Sequence, residues 1–139
     1  MSEEIRLMLV SEAEKMRKAA YAPYSGFSVG AALLCKNGNI FKGVNIENSS
    51  FGAGICAERS AFCTAISAGE KDFEAIAVAG GKSFGKITDY CPPCGICRQF
   101  MTEFCGGDFK IILSDGKNIK EYDLSFLAPF GFDKNRFGI

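Results

Sequence analysis

Cys56-Ala57-Glu58-Arg59-Ser60-Ala61 and, further along, Pro92-Pro93-Cys94-Gly95-Ile96-Cys97-Arg98-Gln99 are the stretches from which the rest of the chain is best read. Each puts a cysteine at the start of a helix-like run. Three thiols with one carboxyl beside them describe a zinc site with an open position, because catalytic zinc keeps three protein ligands whereas structural zinc is usually closed by four. Glu58, two residues after the first candidate ligand, is placed to sit over the open position as an acid and base. The expected ligands are therefore Cys56, Cys94 and Cys97, and the expected catalytic group is Glu58.

Strands alternate with helices on either side of these stretches. Ile5, Met8, Leu9, Ala13, Met16 and Ala20 recur at three- and four-residue spacing, which predicts an amphipathic helix over residues 4–20, ending before Pro23. Residues 28–35 are small and apolar, Asn37-Gly38 is a two-residue hairpin signal, and Ile40 to Val44 reads as the returning strand. A loop over residues 45–55 delivers Cys56 to a helix that stops at Gly69. Phe73 to Ala79 reads as a buried strand, residues 80–93 as a loop and residues 94–105 as a helix. Phe109 to Leu113 and Asn118 to Tyr122 predict two more strands around Asp115-Gly116, followed by a Phe-rich tail. Alternation on this scale implies one sheet with helices on its faces, an α/β sandwich.

A chain of 139 residues with 47% apolar content suits one domain, residues 1–139. Sixteen basic and sixteen acidic residues balance, which argues against a nucleic-acid or membrane-surface partner recruited by bulk charge. No run approaches the roughly 20 apolar residues needed to span a bilayer, and the N-terminus lacks a signal pattern, so a cytoplasmic protein is expected. Seven cysteines do not make a complete disulfide framework. Cys35, Cys63 and Cys105 are expected to be small buried hydrophobes. Histidine is absent, which removes Ser-His and Cys-His hydrolase mechanisms and leaves sulfur or carboxylate as the only metal donors.

Three thiolates around Zn²⁺ leave a net negative charge that opposes the activation of water. First-turn amide N–H groups of the two helices offset it. Arg59 and Arg98 are placed to hydrogen-bond thiolates, with Arg59 the main expected partner. Cys94-Gly-Ile-Cys97 alone would equally suit a redox dithiol or half of a structural zinc knuckle; the coupled Cys-Ala-Glu shifts the reading. Cys91 shares the three-residue spacing of Cys94 and Cys97 and could close the site, but Pro92-Pro93 should hold it extended and outside the ligand set.

These motifs resemble those of the small homotetrameric cytidine deaminases, and the resemblance spans nearly the whole chain. Tyr24-Ser25-Gly26-Phe27-Ser28-Val29-Gly30-Ala31-Ala32 is similar to that family's first-strand signature, Gly43-Val44-Asn45-Ile46-Glu47-Asn48-Ser49 to its ribose-binding segment, and the two cysteine stretches to its two zinc motifs. The resemblance implies a three-layer α/β/α sandwich with a five-stranded mixed sheet. It implies that Cys56, Cys94 and Cys97 hold Zn²⁺ while Glu58 moves a proton from water to ring nitrogen N3 and then to the departing amine. Cytidine, and deoxycytidine, would thereby become uridine or deoxyuridine and ammonia in pyrimidine salvage.

It further implies that Asn45 and Glu47 bind the ribose 3′ hydroxyl, Phe27 packs on the pyrimidine and the backbone at Ala57 holds the base edge. Without it, Phe27 would read as core packing and Asn45 and Glu47 as loop residues. In the tetrameric family a tail aromatic reaches a neighbour's site, and Phe132 is the best match. Phe51, where relatives often carry Tyr, is a second candidate for reaching across. Two rival readings remain: a deaminase of modified pyrimidine nucleosides such as blasticidin S, and a non-catalytic zinc module with a fourth protein ligand.

Overall fold

The apolar runs around Asn37-Gly38 form the edge hairpin of a five-stranded sheet, β1 (Phe27–Cys35) against β2 (Ile40–Val44), with Gly38 taking the left-handed turn conformation at φ +94°. The computed structural model describes residues 1–139. The remaining elements are α1 (Glu3–Met16), α2 (Ala57–Ser67), β3 (Phe73–Lys82), α3 (Gly95–Phe104), β4 (Lys110–Ser114), β5 (Ile119–Asp123) and α4 (Leu124–Leu127). The sheet order is β2-β1-β3-β4-β5, with β3 and β4 parallel and every other pair antiparallel, hence mixed. No helix is long and apolar enough to cross a membrane.

Strand side chains alternate between the two faces, and the sheet is covered on both. On one face Ala32, Leu34, Ala75, Ala77, Ala79 and Ile112 pack against Leu9, Val10 and Ala13 of α1. On the other, Ala31, Leu33, Ile76, Val78, Ile111 and Leu113 pack against Ala61, Phe62, Ala65 and Met101 of α2 and α3. This is the three-layer α/β/α sandwich. Phe62 lies edge-on to Phe73 at 5.0 Å between ring centres and touches Phe100 and Phe109. A buried aromatic of this kind contributes about 3–5 kcal/mol relative to Ala.

Several expectations shift. The first helix ends at Met16 and tightens into a 3₁₀ turn over Arg17–Ala19, and its buried stripe is Leu9, Val10 and Ala13, with Ile5 and Met8 exposed. β3 runs on to Lys82, so the following loop begins later: residues 80–82 pair with Phe27, Ser28 and Val29 of β1, a tertiary pairing that glycine-rich composition hides. Cys63 is exposed and not core, because it falls on the outer side of α2, while Cys35 is buried and Cys105 half-buried. The tail contains α4 and a 3₁₀ turn, Lys134–Phe137.

One close approach matters for the site. A Cβ on Gly43 would lie 2.5 Å from the Ala57 carbonyl oxygen and 2.4 Å from the Ala61 nitrogen. Glycine there lets the first turn of α2 lie directly on β2, and so sets the height of Cys56 and Glu58 above the sheet.

Candidate metal and catalytic site

Cys56 is the N-cap of α2 and Cys94 the N-cap of α3, both with extended backbone and neither using its side chain to cap. Cys97 lies one turn into α3 and is fully buried. The two helix starts converge, so that the three sulfurs lie within 4.8 Å of one another, with Cys56 and Cys94 at 3.6 Å. A tetrahedral thiolate site with Zn–S bonds of about 2.3 Å would place its sulfurs about 3.8 Å apart, so this donor set fits zinc. First-turn N–H groups of both helices face the cluster with partial positive charge.

Arg59 Nη2 donates to Cys56 Sγ at 3.6 Å, as the sequence suggests. Arg98 does otherwise: its Nε donates to the Pro93 carbonyl at 2.8 Å and its Nη1 to the Leu127 carbonyl at 2.8 Å. Its side chain runs back over the helix start and ties it to α4, so it is a backbone clamp and not a thiolate partner. Without metal, protons distribute unevenly over the cluster. Cys56 is held down to about 5, first by a hydrogen bond from Cys97 and then by Arg59, while Cys97 is pushed well up because its proton is the one donated and because it is buried. Such a cluster readily exchanges its protons for a cation.

Glu58 is 3% exposed, and burial, reinforced by the nearby Cys56 charge, pushes its carboxyl up to about 7. It opens onto a cleft of about 440 Å³ lined also by Val29, Asn45, Glu47, Phe51, Cys56, Ala57, Cys91, Pro92 and Cys94. The only basic side chain lining that cleft is Arg59, already turned to Cys56. Cys91 is on the wall but outside the three-sulfur cluster, and burial pushes its thiol up to about 12.

The predicted substrate residues are placed as follows. Asn45 caps the hairpin: its Oδ1 accepts from Val29 N at 2.9 Å and its Nδ2 donates to the Phe27 carbonyl at 2.8 Å. Glu47 Oε1 accepts from the backbone N–H groups of Tyr24 and Ser25 at 2.9 and 3.1 Å, and its Oε2 accepts from the Ser25 hydroxyl. These donors, the hydroxyl first, hold the Glu47 carboxyl below its ordinary range. Ser25 Oγ in turn accepts from Phe27 N at 3.0 Å. Sequence reasoning passed over Ser25; its signal is a serine in a turn two residues before a strand.

Phe51 lies at the cleft mouth, 80% exposed and edge-on to Tyr24. Phe27 is half-exposed and stands beside Cys91 without lining the cleft itself. Phe132 is away from the cleft of its own chain, 59% exposed, with its carbonyl accepting from Gln99 Nε2 at 2.8 Å.

A family model described as "Cytidine and deoxycytidylate deaminase zinc-binding region" matches residues 3–113, which include every element of this site except the tail. The chain belongs to the cytidine and deoxycytidylate deaminase family. It is 46% identical over 131 residues to a cytidine deaminase of Halalkalibacterium halodurans, covering 91% of this chain and 93% of that one. It is 44% identical over 127 residues to a cytidine deaminase of Sporosarcina psychrophila, covering 91% and 90%. Among solved structures, the cytidine deaminase of Burkholderia pseudomallei superposes with TM-score 0.83 at 37% identity, covering 95% of this chain and all of that one. The cytidine deaminase of Mycobacterium tuberculosis gives 0.79 at 35% identity, covering 91% and 95%. The fold of this family member and its three-thiolate cluster thus agree with the zinc-binding description.

Proposed function

We propose that this protein is a zinc-dependent hydrolase that converts cytidine, and deoxycytidine, to the corresponding uridine and ammonia. The observation that carries the reading is a buried carboxyl, Glu58, in the cleft wall beside a cluster of three cysteine sulfurs that supplies only three donors. Zinc held by Cys56, Cys94 and Cys97 supplies Lewis acidity that lets water act as a nucleophile near neutral pH. Glu58 does the proton work: it takes one proton from the attacking water and gives it to N3 of the pyrimidine, then takes the second from the hydroxyl formed at C4 and gives it to the departing amine, leaving the C4 carbonyl of the product. A single carboxyl serves both steps because it is walled off from bulk water.

The ribose meets Asn45 and Glu47. With its other hydrogen bonds made to β1, the Asn45 amide retains one N–H, and the Glu47 carboxylate retains acceptor capacity beyond its three donors. One donor beside one acceptor matches a hydroxyl. The Ala57 backbone faces the base edge, and Phe27, packed beside Cys91 over Gly80, supports the wall on which the pyrimidine rests. A nucleoside is favoured over a 5′-nucleotide, since no uncommitted basic side chain lines the cleft to meet a phosphate.

On this reading the whole of residues 1–139 is one catalytic domain acting in the cytoplasm on salvaged pyrimidine nucleosides. The active form is a homotetramer with shared sites. Its support is the exposed aromatic surface: Phe51, Phe126, Phe130, Phe132 and Phe137 are all 59% exposed or more, beyond what an isolated chain of this size displays without a partner. Metal analysis combined with a cytidine turnover assay tests the proposal. One zinc per chain with ammonia release supports it, and a metal-loaded protein inert toward cytidine and deoxycytidine refutes it.

A further inference from the structure

Gly80 lies in β3 opposite Val29 of β1, and shares the parity of Ile76 and Val78, whose side chains face α2 and α3. A side chain there would therefore project toward the layer that carries the site. The space is already taken. A Cβ built on Gly80 would lie 2.9 Å from Cys91 Sγ, 2.9 Å from Phe27 Cε2 and 3.0 Å from Cys91 Cβ, closer than real Cβ contacts allow. Two side chains from different segments thus share one bare patch of strand.

Both of them matter to the cleft. Cys91 lines it together with Glu58, and Phe27, in the same β1 row as Val29, is held at its backbone on both sides by Ser25 and Asn45. Neither can retreat by moving its main chain: Phe27 is fixed by those bonds, and Pro92-Pro93 stiffen the chain after Cys91. We propose that Gly80 is a positioning residue for the nucleoside cleft: its lack of a side chain lets the Phe27 ring and the Cys91 thiol pack on β3, and this packing sets the wall against which the pyrimidine rests. The inference depends on the deaminase reading given above.

Three variants of the zinc-loaded full chain test it: G80A, C91A and G80A/C91A. Zinc content, thermal melting, kcat and KM for cytidine are measured for each. The added methyl of G80A pushes ring and thiol into the cleft, so KM rises about tenfold, toward the lower end of what overpacking a methyl costs, while zinc content is kept. C91A leaves a void under the ring and also raises KM. In the double variant the sulfur clash is gone, and the Phe27 ring, still 2.9 Å from the added methyl, can shift into the space the sulfur leaves, so KM recovers part of the way toward the parent value. Two impaired single variants and a recovered double one form a coupling that a merely structural glycine would not produce.

Unchanged KM in G80A overturns the proposal, as does a double variant no better than the single ones, or zinc loss in G80A. Should G80A fail to fold, an unchanged KM in C91A overturns it equally, and a raised one with full zinc sustains it. A parent protein that turns over cytidine while these variants leave KM unmoved sinks only this inference, whereas a parent inert toward cytidine sinks the deaminase reading.

Discussion

The Arg59 guanidinium donates to the Cys56 sulfur at 3.6 Å, across the first turn of the helix that carries both residues. The interaction places a fixed positive charge against one of three thiolates and draws negative charge away from the metal, the adjustment that an all-sulfur site needs before it can activate water. Its Nε is buried without a partner, so the side chain is held there by the sulfur contact and packing rather than by a full set of hydrogen bonds. Arg59→Ala should therefore weaken zinc about 10–100-fold. Competition with a chromophoric chelator measures this; a zinc affinity equal to the parent's would remove Arg59 from the site.

Glu58→Gln keeps the size and burial of the side chain but removes the transferable proton. Zinc content and the melting curve should match the parent, while cytidine turnover falls by about 10²–10⁴-fold or more. Activity within a few-fold of the parent, in a protein carrying full zinc, would rule out Glu58 as the acid and base.

The ligand set predicts a sharp division among the seven cysteines. Cys56→Ala, Cys94→Ala and Cys97→Ala should lose zinc, whereas alanine at Cys35, Cys63, Cys91 or Cys105 should keep it. Metal analysis of the purified variants decides. Zinc loss from Cys91→Ala as large as from Cys94→Ala would mean a closed four-sulfur site and favour a structural zinc module.

Ser25 joins two of the substrate residues, since its hydroxyl donates to Glu47 and accepts from Phe27 N. Ser25→Ala should let the Glu47 pKa rise back toward the ordinary carboxylate range, because the hydroxyl is the largest cause of its depression. A depressed carboxylate contributes stability that is present above its unfolded pKa and lost as pH falls through the folded one. The variant should then be less stable than the parent at neutral pH, and the gap should close in acid. Carboxyl NMR titration and melting at pH 7 and pH 3 check both signs, and KM for cytidine should rise. An unmoved Glu47 titration would show that the two backbone N–H groups hold the carboxylate unaided.

What could be read in the chain beforehand was whatever depends on local pattern. The three cysteines and Glu58 stand at helix starts, and helix starts have strong local signals, so Cys56 and Cys94 fall at N-caps as their sequence context suggests. The Asn37-Gly38 hairpin and the Gly69 stop are similarly local. What escaped depends on partners distant in sequence. The extension of β3 through Gly80 and Gly81 comes from pairing with β1, not from strand propensity. Arg98 looked like a thiolate partner by proximity, but a carbonyl 29 residues away in α4 claims it. Cys63 looked like core because its neighbours are apolar, although its angular position on α2 faces outward. Which residues lean on Gly80 is invisible until strand and loop are in place.

The tail gives the last prediction. Phe130 is 98% exposed and holds φ +50°, a left-handed conformation unfavourable for a bulky residue, and Phe132 and Phe137 pack edge-on to each other at 5.9 Å while staying 59% and 70% exposed. Strain and exposure together suit a segment whose contacts lie on another chain. The Phe132 carbonyl accepts from Gln99 Nε2 at 2.8 Å and from the Thr102 hydroxyl at 3.5 Å, so its backbone is tied to α3 while its ring stays 59% exposed. In a homotetramer that ring would complete a neighbour's cleft, with Phe51 at the mouth to meet it. A chain ending after Ala128 should lose tetramer in light scattering, since aromatic anchors carry much of an interface's energy, and its KM for cytidine should rise. The single variant Phe132→Ala separates the two effects: it should raise KM while leaving most of the assembly intact. If the shortened chain stays tetrameric and its KM is unchanged, the tail is surface packing and each cleft is complete within one chain.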